Sequence, residues 1–313
     1  MQQDMKYIYM VYKYGSFSKA AQALYITQPA LSISVQKVEA EIGMPLFIRD
    51  RKPLGLTEAG KVYIEKIRQF QFLEDELSQQ LNDLSQLKTG RLRVGGSHYF
   101  NSYILPPVLA DYKKKWPGIQ LELTEASSFE LISMLKENEI DLTFNCTPQP
   151  KDNLRRIPGF EDRILLAVPK SYPVCQKLGA YSMTAADIMQ KKHQPPSAPA
   201  VTLEEFGAAP FILLTPGNNL YSRCLAMFEE SSVMPEVCMQ VSQLVTAYHL
   251  SCAGIGATFI SDWMVVSDQP EMLYFKVNSP HAVRVFDIVT SGKNYLSNAQ
   301  KAFILMFKDH YIS

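Results

Sequence analysis

Residues 27–42 combine a helix start with an outward face whose side chains suit contact with DNA bases. Thr27 is a good helix N-cap, and Pro29 falls in the first turn, where its missing N–H costs little. Steps of about 100° per residue put four apolar residues on one stripe, which we predict to be buried: Leu31, Val35, Val38 and Ile42. The opposite face carries Pro29, Ala30, Ile33, Gln36 and Lys37.

This outward face is too apolar for an ordinary solvated surface and too short to form a protein interface alone. Alanine and isoleucine side chains can pack on thymine methyl groups, whereas glutamine and lysine can reach bases or phosphates. The pattern predicts a recognition helix that enters the major groove of duplex DNA.

Nine residues are predicted to contact the groove, the neighbouring phosphates or both, three of them from a basic hairpin tip: Thr27, Gln28, Pro29, Ser32, Ser34, Lys37, Arg49, Arg51 and Lys52. Two of them have a structural alternative. Thr27 can be a plain helix cap, or it can cap a helix whose first turn also points N–H groups at phosphate. Arg49 can form a salt bridge inside its own domain, because it lies beside the core residue Phe47.

Small polar side chains follow the predicted strands in the second part of the chain. Ligands of open α/β sheets bind at the carboxyl ends of strands, where helix N-termini present free N–H groups. The residues at these positions are Ser97, His98, Ser127, Ser128, Asn145, Thr147, Thr215, Asn218, Asn219 and Thr246. A helix cap without a ligand is the better explanation for any one Ser or Thr. Their convergence favours a pocket for a small metabolite, with Ser97 and Thr215 on opposite walls.

The other reactive side chains do not form an enzyme or metal site. Gly95-Gly96 lacks a phosphate-loop continuation, and the sequence has no nucleophile elbow. None of the five histidines has metal-ligand spacing: His98, His193, His249, His281 and His310. We therefore predict no catalytic activity, no metal and no cofactor.

The five cysteines contain no Cys-x-x-Cys pair: Cys146, Cys175, Cys224, Cys238 and Cys252. Buried free thiols are the default interpretation. A redox switch between Cys224 and Cys238 is the alternative, although nothing local in the sequence would lower a thiol pKa.

The elements that must position the DNA-contacting residues are short helices and a hairpin. Residues 5–14 have helical spacing that Gly15-Ser16 ends, and a second helix runs from its N-cap Ser18 to a turn at Tyr25-Ile26. Two short extended segments, 45–49 and 50–56, surround a basic tip and predict a wing-like hairpin.

Thr57 then caps a long helix with an apolar residue every three or four positions: Ile67, Phe70, Leu73, Leu77, Leu81, Leu84 and Leu87. Such a stripe predicts packing against a partner helix. Packing on its own domain fits the pattern equally well.

From Arg91 onward, predicted strands alternate with helices, which is typical of a parallel α/β architecture. The first unit has strand 91–95, helix 102–115, strand 119–124, helix 128–137, strand 141–144 and strand 163–168. After a Pro-rich loop at 191–199, the second has strand 210–214, helix 218–230, strand 236–240, helix 243–252 and strand 256–260. A helix at 297–310 closes the fold.

Composition agrees with a DNA-binding first part. The 313 residues, 47% hydrophobic, suffice for two or three domains. The apolar runs fall far short of a membrane helix, and residues 1–20 do not form a signal peptide, so we expect a cytoplasmic protein without membrane contact. The net charge of zero conceals an asymmetry. Residues 1–68 contain 10 Lys and Arg against 6 Asp and Glu, leaving 21 against 25 in the rest, so the N-terminal part suits polyanions.

Four motifs resemble one family, the LysR-type transcriptional regulators: Gly15-Ser16-Phe17-Ser18-Lys19-Ala20-Ala21, Thr27-Gln28-Pro29-Ala30-Leu31-Ser32, Pro45-Leu46-Phe47-Ile48-Arg49 and Leu56-Thr57-Glu58-Ala59-Gly60. The similarity is close over residues 1 to about 88. Beyond them it consists of the layout and of signatures such as Gly254-Ile255-Gly256 before a strand.

The resemblance implies a mainly α winged helix-turn-helix, joined by a long linker helix to an α/β effector domain with two lobes like those of periplasmic binding proteins. We expect the DNA-binding domain at residues 1–57, the linker and dimerisation helix at 58–89 and the effector domain at 90–313. The chain would cross between the lobes near Val168 and Met272. Lobe one is then 91–168 plus 273–313, and lobe two is 169–268.

The resemblance also implies the function and partners of a DNA-binding transcriptional regulator controlled by a small-molecule effector. The partners are duplex operator or promoter DNA, the effector, a second or further copies in a homodimer or homotetramer, and RNA polymerase as a further candidate. Many relatives carry Arg and Gln after Ser32, where this chain has Ile33 and Ser34, so those base contacts do not carry over.

Two alternatives stay open. One is a redox-responsive regulator of the same architecture that uses its cysteines. The other is a solute-binding protein without a DNA function, which would need an export signal and would not carry the first 88 residues. The sequence leaves the effector, the operator and the choice between activation and repression open.

Overall fold

A computed structural model describes residues 3–50, 53–83, 89–147, 153–292 and 295–312. The chain divides into two compact units, Met1–Gln86 and Leu87–Ser313.

The first unit is helical with a small hairpin. Its helices are α1 (Gln3–Tyr14), α2 (Phe17–Ala23), α3 (Gln28–Ile42) and α4 (Glu58–Asp83). Strands β1 (Phe47–Ile48) and β2 (Gly55–Leu56) pair antiparallel. The N-cap of α2 is Ser16 and not the predicted Ser18, because Ser16 has the extended backbone of a cap and accepts a hydrogen bond from the Lys19 N–H.

The core of the first unit forms where α1, α2 and α3 converge on the start of α4. The predicted inner stripe of α3 is confirmed, since Leu31, Val35 and Val38 are buried and Ile42 packs against them. From α4, Ile64 and Ile67 reach the same core. The first third of α4 therefore belongs to this domain.

In its described residues, the second unit is an α/β assembly with ten strands. They are β3 (Gly90–Gly96), β4 (Ile119–Glu125), β5 (Leu142–Asn145), β6 (Leu154–Pro169), β7 (Ala200–Val201), β8 (Pro210–Leu214), β9 (Glu236–Val241), β10 (Thr258–Ser261), β11 (Met272–Val277) and β12 (Val283–Ser291).

Its helices are α5 (Leu105–Lys115), α6 (Ser128–Lys136), α7 (Pro173–Lys177), α8 (Ala185–Met189), α9 (Asn219–Glu230), α10 (Leu244–Cys252) and α11 (Asn298–Tyr311). A π-helical turn, Phe100–Ile104, precedes α5. Short 3₁₀ turns lie at Gly179–Tyr181, Leu203–Phe206, Asp262–Met264 and Pro280–Ala282.

Two lobes share the long strand β6. In lobe one the strand order is β4-β3-β5-β12-β6, and the β6 residues that pair with β12 are 154–163. In lobe two, β6 residues 164–169 lie between β10 and β11, β11 pairs with β7, and β8 pairs with β9. The isolated bridge between Phe211 and Ala257 joins β8 to the β10 side. One strand therefore passes through both sheets.

The strand pairing moves the predicted crossings. We expected the chain to change lobes near Val168 and Met272, but β6 enters the second sheet at Ile164 and the chain returns after Val277. The expected crossings came from the family resemblance, whereas their positions here depend on which distant strands pair with β6 and β11.

A glycine explains why the first half of β6 escaped prediction. Pro158-Gly159 is a turn signal in sequence, yet here it lies inside a strand at an irregularity opposite Phe286 and Asp287. A Cβ atom at position 159 would lie 2.2 Å from the Phe286 carbonyl oxygen, so the strand pairing requires glycine here.

Candidate functional site

The outer face of α3 is exposed and has the composition expected for base contact. Gln28, Pro29 and Ala30 are exposed at its start, and Ile33 retains 65% of its surface one turn later. The exposed apolar side chain has no packing role within the described part of the domain. This face is therefore available to a partner.

Three of the predicted DNA contacts already make bonds within α3. Thr27 caps the helix by accepting a hydrogen bond from the Ala30 N–H, at 3.4 Å. The Ser34 hydroxyl donates to the Ala30 carbonyl at 3.1 Å, and Lys37 lies 4.0 Å from Glu41 with both side chains largely exposed. Since Thr27 and Lys37 are exposed, these bonds leave them able to meet DNA.

Arg49 forms the domain-internal contact that was its structural alternative. Its guanidinium donates to Glu39 at 2.8 Å and lies over the Phe17 ring. Glu39 also accepts from the backbone N–H groups of Leu46 and Phe47, at 2.7 and 3.3 Å. This carboxylate ties α3 to the first strand of the hairpin, and Arg49 remains 42% exposed beside it.

The hairpin has the expected strand pairing, Phe47 with Leu56 and Ile48 with Gly55. Arg51 and Lys52, which were assigned to its tip, lie outside the described residues. Their contact with phosphate stays a prediction.

The second half of α4 exposes an apolar stripe. Phe70, Leu73, Leu77 and Leu81 lie on one face and retain 51%, 57%, 57% and 58% of their surface. Leu84 and Leu87, the predicted continuation, fall outside the described residues. A soluble helix rarely leaves such a stripe uncovered, so we call these four residues the α4 stripe and expect a partner to cover it.

A cavity of about 530 Å³ lies between the two lobes of the second unit. Seven of the predicted effector residues line it: Ser97, His98, Ser127, Ser128, Thr215, Asn218 and Asn219. Ser97 follows β3 of lobe one, and Thr215 follows β8 of lobe two. The carboxyl ends of strands from both lobes therefore meet at one cleft, as the position argument expects.

Helix N-termini surround this cleft. Ser127 caps α6, Asn218 caps α9, and α10 begins after Gln243 without a side-chain cap. The first N–H groups of a helix carry a partial positive charge, so converging N-termini favour an anion. Ser127 and Asn218 thus act as caps and also line the cleft.

Three predicted effector residues are not among the residues that line the cavity. Asn145 is buried and accepts from the Thr147 N–H at 2.6 Å, so it shapes the end of β5. Thr147 accepts a hydrogen bond from the Asn219 side chain at 3.2 Å. Thr246 lies within the first turn of α10, because that helix starts at Leu244. The N-cap residue Gln243 lines the cavity in its stead.

Asn219 bonds the two lobes together across the cleft. Its Oδ1 accepts from the Cys146 thiol at 3.3 Å and from Arg223 Nε at 3.2 Å, while its Nδ2 donates to Thr147. Arg223 also donates to the carbonyls of His281 and Val283, which lie on the return crossing. A ligand that competes for the Asn219 amide would disturb this link between the lobes.

Sequence reasoning missed a buried network at the floor of the cleft. Arg284 donates through Nε and Nη2 to Asp162 at 2.8–3.1 Å, and both side chains are buried. The Tyr99 hydroxyl donates to the same carboxylate at 2.8 Å and shares a 2.6 Å hydrogen bond with Ser261. No local signal announces this set, because strand pairing brings the four residues together from distant positions.

Arg284 is both a structural residue and a lining residue of the cleft. Burial by itself lowers the pKa of Arg284, but the nearby Asp162 carboxylate outweighs it and the pKa is raised, so the guanidinium stays charged. Its remaining nitrogen, Nη1, has no hydrogen-bond partner among the described residues. A charged guanidinium, held by Asp162, therefore forms part of the wall of the cleft.

At the rim, His98 Nδ1 lies 3.1 Å from both oxygens of Glu125. This pair and the seryl hydroxyls supply polar contacts at the edge of the cavity. The exposed Phe129 and the more deeply placed Phe286 add apolar surface. The site suits a ligand with an anionic group and an apolar body.

The pKa values of the cysteine thiols do not favour a redox-active cysteine. Burial raises the pKa of Cys146, Cys224 and Cys238, which disfavours the reactive thiolate. For Cys224 the nearby Arg284 charge acts in the opposite direction but is outweighed by burial, so the alternative of a redox switch between Cys224 and Cys238 gains no support from the thiol pKa values.

The described residues show neither a metal site nor a membrane-spanning helix. They contain no group of three or more His, Cys, Asp or Glu arranged to hold a metal ion. Within the same residues, no helix is long and apolar enough to traverse a bilayer.

Known families match both units. A family model described as the LysR substrate binding domain matches residues 85–311. A second, described as a bacterial regulatory helix-turn-helix protein of the lysR family, matches residues 2–61.

Individual relatives agree over almost the whole chain. The HTH-type transcriptional regulator YcgK of Bacillus subtilis (strain 168) is 28% identical over 306 residues, which cover 97% of this chain and 93% of YcgK. Full-length CbnR in complex with its target DNA is similar in fold with a TM-score of 0.64 at 18% identity, covering 99% and 98% of the two chains. A full-length OxyR variant from Pseudomonas aeruginosa has a TM-score of 0.64 at 19% identity, covering 98% and 95%.

Proposed function

Because this chain belongs to the LysR family of DNA-binding transcriptional regulators, we propose that a small organic anion, bound between the lobes, controls its binding to DNA. The family accounts for the helix-turn-helix, the effector domain and the tendency to form oligomers. The nature of the effector is a proposal drawn from the cleft of this chain.

One observation carries the proposal: Arg284 lines the cleft with Nη1 unpartnered among the described residues, and it is held in place by Asp162. A hydrogen bond to a charged group is stronger than a neutral one, so Nη1 is the best donor for a carboxylate or similar anion. The N-termini of α6, α9 and α10 add to the same preference. The hydroxyls of Ser97 and Thr215 would then orient the ligand from opposite lobes.

Binding can be converted into regulation through the contacts between the lobes. Asp162 and Arg284 lie on β6 and β12, which cross or adjoin the boundary between the lobes, and Ser261 belongs to lobe two. A ligand shifts a protein only by as much as it prefers one arrangement over another. By engaging Arg284 and the Asn219 link, the effector would favour one arrangement of the lobes.

On the DNA side, we propose that α3 enters the major groove with Gln28 near base edges and that Thr27 and Lys37 contact the backbone. Its exposed face supports this role. We propose a homodimer joined through the α4 stripe, with RNA polymerase as a further partner. A regulator of chromosomal promoters would act in the cytoplasm.

We propose no catalytic role for the cleft. The family consists of regulators, and the cleft offers ligand-binding donors without a nucleophile and base pair among its described residues. A redox-responsive regulator is less well supported, because burial raises the pKa of the candidate thiols.

The experiment that tests this proposal is a thermal-shift screen of the full chain against matched sets of organic anions and their neutral amides. A ligand that binds only the native state raises the melting temperature. We expect hits among the anions and none among the matching amides. Hits confined to neutral ligands would contradict the proposal.

With a hit in hand, Thr215→Val and Arg284→Lys locate the ligand. Thr215→Val should weaken binding by about 1–3 kcal/mol, because a ligand group is left without its hydrogen-bond partner. Arg284→Lys keeps a positive charge beside Asp162 but loses Nη1 and the paired guanidinium bonds to that carboxylate, so the affinity for the ligand and the melting temperature of the free protein should both fall. Calorimetry that shows unchanged affinity in both variants would place the ligand elsewhere.

A further inference from the structure

A second cavity, of about 260 Å³, lies against the two segments that join the lobes. Residues 163–165 of β6 and residues 276–280, 282 and 283 of the return crossing line it. Neighbouring residues of a strand point to opposite faces. Arg284 lines the cleft and is bonded to Asp162, while their sequence neighbours Arg163 and Val283 line this second cavity. We call it the hinge cavity, because it lies on the other face of the same crossing strands.

Two cations line the hinge cavity close to each other. Arg163 pairs with Glu161, whereas the Lys276 ammonium donates to the Pro195 carbonyl at 2.8 Å and has no carboxylate partner among the described residues. Burial and, second, the charge of Arg163 lower the pKa of Lys276. The proximity of these like charges is unfavourable, and an anion between them would reduce the repulsion.

A buried histidine at the same cavity has an unused nitrogen. His193 is 1% exposed, and its Nε2 lies 2.8 Å from Asp262 Oδ2. The other oxygen of Asp262 accepts from the Arg163 backbone N–H at 3.1 Å. His193 Nδ1 is buried and has no partner among the described residues. Buried polar groups without a partner are rare in native proteins and require an explanation.

We propose that the hinge cavity binds a small oxyanion, held by Lys276 and Arg163 with the Asn278 amide as a further donor. The volume accommodates an ion the size of phosphate or a short carboxylate and does not require a larger body. Glu161 pairs with Arg163, so Lys276 supplies the positive charge that no described carboxylate neutralises. Arg163 supplies a planar set of donors suited to oxyanions. This inference does not depend on the effector in the cleft.

The position of the hinge cavity gives the anion a role in regulation. Lys276 and Val277 end β11 in lobe two, and Val283 starts β12 in lobe one. An anion bound between this segment and β6 would favour the lobe arrangement that keeps the cations together. It would act on the same crossing strands as the cleft ligand, from the opposite face.

Titration of the full chain with inorganic phosphate at constant ionic strength tests the proposal, with chloride as the compensating anion. We expect saturable binding by calorimetry in the wild type. Lys276→Met keeps most of the alkyl stem and removes the charge, and it should weaken binding about tenfold or more. Lys114→Met, on the exposed face of α5, is the matched control and should bind as the wild type does.

Two further comparisons keep the cleft and the hinge cavity distinct. Thr215→Val, which alters the cleft, should leave phosphate binding unchanged. Long-range ¹H–¹⁵N spectra of the wild type should show the His193 imidazole shifting with phosphate, a result that does not depend on the folding of any variant. Absence of saturable binding, a loss in Thr215→Val with none in Lys276→Met, or a shift confined to other histidines would overturn the proposal.

Discussion

At the scale of single residues, the cleft depends on side chains that serve structure and binding together. Ser127 and Asn218 cap helices while they line the cavity, and Arg284 binds Asp162 at the boundary between the lobes while it lines the same cavity. On the DNA-binding domain, Arg49 is bound to Glu39, whereas Gln28 is exposed at the start of α3, and we propose Gln28 as the residue that contacts a base edge.

Gln28→Ala should reduce discrimination between operator and random DNA, because the exposed amide at the start of α3 is placed to read a base edge. Loss of one base-reading contact should cost about 1–3 kcal/mol in specificity. Lys52→Ala, predicted to touch phosphate, should weaken both kinds of DNA equally. Fluorescence anisotropy with an operator and a scrambled duplex measures both affinities, and equal specificity ratios for the two variants would refute this division of roles.

The sequence predicted those site residues that local rules place. Ser97 and Thr215 directly follow strands, so the end of each strand fixed their position within a residue or two. Arg284 and Asp162 are 122 residues apart and meet only through the pairing of β12 with β6. The pairing of two distant strands leaves no pattern in the sequence of either strand. The contact between Arg284 and Asp162 could therefore not be predicted.

At the scale of elements, a carboxylate fastens the recognition helix to the hairpin. The Glu39 carboxylate, which projects from α3, accepts hydrogen bonds from two backbone N–H groups and from the Arg49 guanidinium. Its side chain is only 12% exposed. The relative placement of α3 and β1 therefore depends on one side chain.

Glu39→Ala should destabilise the DNA-binding unit by about 1–3 kcal/mol, because it leaves backbone donors unpaired. Glu41→Ala, whose side chain is 66% exposed, is the matched control and should change stability little. Both tryptophans, Trp116 and Trp263, lie in the second unit. Urea unfolding should thus show an earlier circular-dichroism transition with unchanged tryptophan fluorescence, and equal effects of the two variants would argue against this role.

Leu81→Asp should dissociate the dimer and abolish operator binding, because it places a charge in the α4 stripe. Ser78→Asp adds the same charge to an exposed position of α4 outside the stripe and should leave the dimer intact. Sedimentation velocity distinguishes the outcomes. An unchanged dimer in Leu81→Asp would mean that the stripe has another use.

Periodicity predicted most helices to within a few residues, including α3, α4, α6 and α9. It failed where tertiary pairing overrode local signals. Pro158 and Gly159 lie inside a strand, and β11 and β12 went unassigned because strands that are distant in sequence supply their hydrogen bonds. Element type is a local property of the chain, whereas sheet order is not.

At the scale of the whole molecule, the two units differ in net charge as well as in fold. Residues 1–68 have the excess of Lys and Arg, and the rest of the chain has the excess of Asp and Glu and contains the cleft. The basic part suits phosphate, and the effector unit gathers its positive charge locally, at Arg284 and at helix N-termini. This distribution of charge agrees with DNA binding by the first unit and with the anionic effector that we propose for the second.

As a DNA-binding regulator, the full chain should distinguish a selected duplex from other sequences, and its affinity for that duplex measures this property. Duplexes enriched from a random pool should contain two related half-sites about one helical turn, or a multiple of one, apart. At physiological salt, binding to the enriched duplex should be about 10³-fold or more tighter than to a scrambled duplex of the same composition. Equal affinity for the two duplexes would contradict the account.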